Sequence, residues 1–266
     1  MRLRDLLLNI FVAVMAIIII APIALVLVTS FSGADFIRFP PDGFSFKHYV
    51  AAAGQRMFID AFGTSVVVAL SSATLALILG GMAAVGITRY DFPGRDVIQG
   101  FLVSPLMIPA LVLGITLLHF YSAMRISTGI GTIIGGHMIV TIPYAVRLLT
   151  ASLVGIDRRL ELAAMSMGAS PLKAFIGVTL PNVTAGLLGA FTFAAIMSFD
   201  DIGLALFISS SRNPTLPVAI FTYLDQTYDP MIIAVSSVMI LVSVLAVFIL
   251  DRAVGVSRII MNAQAK

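Results

Sequence analysis

The chain has 266 residues, 59% of them hydrophobic and only 11% charged, with a mean hydropathy of +1.07. Soluble domains carry about a quarter of their residues as charges, so the 16 Lys and Arg with 13 Asp and Glu exclude a water-soluble globule and indicate an integral membrane protein. The absence of cysteine excludes disulfides, thiol nucleophiles and thiolate-bound metal clusters.

A helix needs about 20 mostly apolar residues to cross the hydrocarbon layer. Cutting the sequence at its charges leaves six such stretches, which predict an all-α bundle with spans at 8–30, 62–87, 98–120, 130–149, 183–207 and 231–250. The first follows Arg2 and Arg4 but is much longer than a signal-peptide core of about 7–15 residues, so an uncleaved anchor is expected. Pro105 and Pro109 bend the third span as a hinge or cavity wall, because each removes a backbone donor. Pro143 does the same in the fourth, and Tyr144 beside it is a candidate for lining a cavity. Small residues at Gly80–Gly81, Gly135–Gly136, Gly186 and Gly189 allow helices to approach closely.

Six spans place both termini on one side of the membrane. That side holds Arg2, Arg4, Arg89, Arg95, Arg147, Arg158, Arg159, Lys173, Arg252, Arg258 and Lys266, and the other holds Arg38, Lys47, Arg56, Arg125 and Arg212. Eleven against five makes the termini cytoplasmic by the positive-inside rule. The sequence pI near 9.4 is then a topology signal, and no nucleic-acid partner is expected.

Between the fourth and fifth spans, residues 156–181 are too long for a tight turn. Asp157 suits a helix start, and Leu160, Ala163, Ala164 and Met167 recur at helical spacing. Gly168 suits the stop; Ser170 and Pro171, as N-cap and first helical residue, restart a second helix that runs toward Pro181. Two short, mildly apolar helices at an angle either dock in another protein's groove or lie on the lipid headgroups.

The polar residues within the spans are few. If the fifth helix starts near Asn182, Asp200 lies about 27 Å along it, which places Asp200 and Asp201 near the outer edge of the hydrocarbon. Two readings stand: the pair lines an external vestibule and attracts a cation, or Asp200 caps a helix running from Ile202 to Phe207. His119 and His137 fall in the outer halves of their spans, facing a cavity or making interhelical hydrogen bonds; two isolated histidines make no metal site.

The segment Glu161–Leu162–Ala163–Ala164, Gly168–Ala169–Ser170–Pro171 and the run Val178–Thr179–Leu180–Pro181 together resemble the EAA loop of permease subunits of bacterial ABC importers. These are the binding-protein-dependent type with a six-helix core. The family glutamate before the two alanines is Leu162 here, and the acidic residue falls one place earlier, at Glu161. Arg89–Arg95 resembles the family's turn between the second and third helices. Ser198–Asp201, Thr215–Val218 and Asp229–Pro230 are similar to the spermidine/putrescine-type branch, although Ala110 stands where its members tend to carry an acid. The likeness covers about residues 60–250 of a single permease domain, 1–266.

The resemblance implies a transport subunit of the bacterial inner membrane that is not itself an enzyme. It forms half of a translocation path for a small polar cargo, of which polyamines and other amino compounds are examples. An external binding protein delivers the cargo, and the EAA-like loop couples the path to two cytoplasmic ATPase subunits, which hold ATP and Mg. A second permease chain, of different sequence, completes the path. The sequence agrees with borrowed energy: no phosphate-binding Gly-x-x-x-x-Gly-Lys-Ser/Thr loop surrounds Lys47, Lys173 or Lys266. Two other classes are a stand-alone secondary transporter or channel, expected to show an inverted repeat or charges at the midplane, and a membrane enzyme, for which no nucleophile–base constellation is present.

Overall fold

The structure, a computed structural model, describes residues 3–41 and 43–254; Arg2, Arg258 and Lys266 of the charge count lie outside them. Four helices among the described residues are each long and apolar enough to cross a membrane: α1 (Leu3–Thr29), α3 (Arg56–Arg89), α6 (Ile130–Val154) and α13 (Met231–Val254). Two bent helix pairs pass the same test of length and composition, which brings the number to the expected six where each pair is one span. A short α2 (Lys47–Gly54) precedes α3.

The third span breaks where its prolines predict. α4 (Arg95–Val103) passes into a 3-10 turn, Ser104–Met107, and α5 (Ala110–Ala123) leaves at 102° to that first segment. The residue before a proline is pushed out of the helical region, and Ile108 sits at φ −94°, ψ 126° ahead of Pro109. Sequence patterning placed one helix over 98–120, bent at its prolines; the structure divides it there into two.

The segment after the fourth span begins with α7 (Arg159–Ser166) and α8 (Pro171–Ala174). α8 runs on through a π turn, Phe175–Thr179, into α9 (Leu180–Asn182), and α10 (Thr184–Phe199) departs at 69°. Pro181 cannot donate to the Gly177 carbonyl and crowds it; the wider turn absorbs that misfit, and the Asn182 side-chain amide donates to the Val178 carbonyl at 2.6 Å. The predicted fifth span overran its helix. α10 ends at Phe199 rather than near 207, with Asp200 as its C-cap, and α11 (Ala205–Ile208) is a separate turn. α12 (Leu216–Gln226), which precedes α13, had not been predicted.

The described residues fall into two compact units. In the first, drawn from Met1–Asp60 and Ala219–Val244, the Tyr49 hydroxyl lies 2.7 Å from both Ser30 Oγ and Ser237 Oγ, and Phe58 meets the Tyr223 ring edge-on. α1 leaves nearly its whole apolar length exposed, as expected of a helix facing lipid or another chain.

The second unit, Ala61–Val218 with Leu245–Lys266, buries Val68, Leu113, Ile133, Leu204 and Ile208 in one cluster and Ala84, Leu149, Leu153, Val183 and Ala190 in another. Small residues set the helix spacing there. A Cβ on Gly80 would lie 2.9 Å from Ala145 Cβ and 3.3 Å from the Ile142 carbonyl oxygen, so α3 and α6 cross at a distance only glycine permits.

Candidate functional site

Two sites lie in the second unit. The first is the loop between α6 and α10. Asp157 Oδ1 accepts from the Arg159 amide at 2.9 Å and starts α7. At the other end the Ala169 amide donates to the Ala164 carbonyl (3.1 Å) and the Gly168 amide to the Met165 carbonyl (2.9 Å). This six-to-one and five-to-two pair is a Schellman stop, with Gly168 at φ +95° in the left-handed position. Ser170 then accepts from the Lys173 amide at 3.4 Å, with Pro171 opening α8.

This local chemistry makes a rigid knuckle with an apolar outer surface. Leu160, Leu162, Met167 and Leu172 are exposed, Met167 to 84%. Ala163, Ser170, Pro171, Leu180 and Pro181 are also exposed, whereas Ala164 and Ala169 are half-buried. Only part of the expected apolar stripe packs inward.

Glu161 points inward. Its carboxylate lies 3.3 Å from Arg89 Nη2, with the two side chains only 16% and 10% exposed, and it accepts from the Thr179 hydroxyl. It therefore ties α7 to the end of α3 and to the π turn, while Leu162 takes the outward place. Sequence reading had placed Glu161 among the ATPase-coupling residues. Arg89 and Thr179 had no role there, because nothing local marks a partner so far along the chain.

The second site is a buried chain of hydrogen bonds. Ser72 Oγ of α3 donates to Ser198 Oγ of α10 at 2.9 Å, and Ser198 Oγ lies 2.7 Å from His137 Nδ1 of α6. His137 is 2% exposed, and its Nε2 stands 4.0 Å from Asp201 Oδ1. Asp201 Oδ1 also accepts from the Leu204 and Ala205 amides at 2.9 and 3.2 Å. Asp201 therefore caps the start of α11, which runs over Ala205–Ile208 where Ile202–Phe207 had been expected. Asp200 is the exposed carboxylate of the pair.

The structure brings His137 and Asp201 together and leaves the other candidates apart from them. His119 is exposed on α5, and half-buried Tyr144 packs against Phe193 with ring centroids 5.1 Å apart. Ala110 opens α5 beside the Asp201 turn: a Cβ on Gly203 would lie 3.0 Å from Ala110 Cβ. Ser72 had been missed, since a serine in an apolar run reads as packing, and Ser198 had been read only as part of the Ser198–Asp201 resemblance.

Residues 76–256 match the family described as binding-protein-dependent transport system inner membrane component. The chain is 31% identical over 232 residues to the spermidine/putrescine transport system permease protein PotC of Haemophilus influenzae, covering 86% of this chain and 88% of the relative. It is 28% identical over 244 residues to the putrescine transport system permease protein PotI of Escherichia coli K12, covering 88% and 86%. Its fold is similar to that of a bacterial ABC transporter involved in import of the acidic polysaccharide alginate. There the TM-score is 0.67 and the identity 15%, with 96% of each chain covered.

Proposed function

The chain belongs to the family of binding-protein-dependent transport system inner membrane components, non-catalytic multi-pass permeases of ABC importers that work with an ATPase and a binding protein; from that premise we propose that it forms one half of an ATP-driven uptake path for a small cationic amino compound of the polyamine type. Its two termini lie in the cytoplasm. A second permease of different sequence completes the path, and two ATPase subunits hold ATP and Mg. The knuckle of α7 and α8 is the coupling element: ATP draws the ATPases together, they move the knuckle, and the packed helices rock the cavity open to the outside.

The observation that carries the reading is the Schellman-stopped α7–α8 knuckle with Met167, Leu172 and Leu162 facing out. An apolar tip on a rigid turn is the shape that fits a groove in a soluble partner. The cargo reading is supported by the relatives, a spermidine/putrescine and a putrescine transport system permease. It is also supported by Asp200, an exposed carboxylate at the end of α10. Its exposed carboxylate is the member of the pair proposed to meet a cation.

The test is uptake of labelled spermidine and putrescine by the assembled importer in liposomes, with ATP and the binding protein supplied or withheld. The reading expects transport only with both. Uptake by this polypeptide alone, down an ion gradient, would refute it and favour a secondary transporter. ATP-driven uptake of a different cargo, with polyamines inert, would refute the substrate class alone.

A further inference from the structure

Between the knuckle and the end of α3 lies a cavity of about 450 Å3. Arg89, Tyr90 and Arg158 line it, with Glu161 the only acidic side chain on its wall. The Arg89 side chain is 10% exposed, and its Nε has no hydrogen-bond partner among the described residues. Glu161 is already shared between Arg89 and Thr179, so the wall carries one net positive charge and an unused buried donor. An anion supplies what is missing.

A second cavity of about 360 Å3 adjoins the first, and Val85 and Phe175 line both. This second space is almost wholly apolar and runs along α3 to Ile78. Ile78 precedes Arg89 by eleven residues, roughly 16 Å of helix. One leaflet of hydrocarbon is about 15 Å thick. A cationic pocket at the headgroup level beside an apolar groove one leaflet long matches the charge and shape of an anionic phospholipid.

We propose that this two-part cavity binds an anionic phospholipid of the cytoplasmic leaflet, its phosphate on Arg89 and Arg158 and one acyl chain in the groove. The inference rests on the orientation given under the proposed function. Since Leu172 and Phe175 belong to the α8 side of the knuckle and Val85 to α3, the lipid bridges the coupling element and the bundle.

Native mass spectrometry of the intact importer, extracted from nanodiscs of equal phosphatidylglycerol and phosphatidylcholine, reads the retained lipid. Phosphatidylglycerol is expected to be retained in preference, and Arg158→Gln to lower that preference roughly fivefold. Arg158→Lys keeps it. Val85→Trp, which adds bulk to the wall that both cavities share, removes the retained lipid. Arg158 is exposed, so its substitution leaves folding intact where Arg89→Gln would not. Equal retention of the two lipids overturns the proposal. So does displacement by inorganic phosphate together with insensitivity to Val85→Trp, which marks a free-phosphate site. A photo-crosslinker in place of Met82 that captures the second permease instead of lipid overturns it as well. ATP-driven uptake is measured on the same preparations, so an importer that transports but shows no lipid preference removes this site alone.

Discussion

Gly168 concentrates the coupling argument in one backbone angle. At φ +95° an L side chain is strained, and a Cβ there would meet nothing within 4 Å, so the cost of Gly168→Ala is the backbone term alone. That term is about 1–2 kcal/mol, enough to lower the population of the correct turn by roughly 5–30-fold against looser alternatives. Asparagine enters this region more readily than alanine, so the expected order of coupling is glycine, then asparagine, then alanine. The assay is substrate taken up per ATP hydrolysed in liposomes, with insertion and subunit assembly checked separately. Normal assembly with a falling transport ratio in that order is expected; Gly168→Ala with the wild-type ratio would refute the reasoning. Deletion of 163–170 is the extreme case, and abolishes coupling.

Other positions give sharper single outcomes. Glu161→Gln leaves the mostly buried Arg89 without its counter-charge and lowers unfolding stability by about 3 kcal/mol; adding Arg89→Gln restores part of the loss in a thermal-unfolding cycle. Asp201→Asn keeps the cap on Leu204 and Ala205, whereas Asp201→Ala costs about 1 kcal/mol; Asp200→Asn lowers uptake of a cationic cargo without disturbing assembly. Burial, and then the hydrogen bond to Asp229, raise the Tyr223 hydroxyl above its ordinary value. The folded chain therefore holds that proton after the unfolded chain has released it. The contribution is complete below about pH 10 and is lost as pH rises through the folded value. Tyr223→Phe should flatten that alkaline fall in thermal-unfolding scans.

The knuckle was legible because its signals are local. Asp157, Gly168, Ser170 and Pro171 each act on amides within a few residues, and each does so in the structure. The apolar stretches were legible because bilayer thickness fixes their length. Hydropathy alone does not say where a helix ends inside an apolar run, so α10 stopped eight residues short of its predicted end at the Asp200–Asp201 turn. The prolines announced a break in the third span, but not its 102°. Pairings that close over long separations, such as Glu161 with Arg89 or Ser72 with Ser198, leave no periodic trace. The orphaned Nε of Arg89 appears only once α3 and α7 are packed.

The central claim is that the exposed tip of the knuckle sits in an ATPase groove, and the chain's lack of cysteine makes this directly measurable. Met167→Cys places a single thiol at the tip, where the native side chain is 84% exposed, and Met107→Cys places one at a residue 87% exposed in the break of the third span. In the assembled importer the thiol at 167 should cross-link to the ATPase and resist a water-soluble maleimide, while the thiol at 107, within the third span, does not cross-link to it. A thiol at 167 that labels equally with and without the ATPase, and never cross-links to it, would contradict the account.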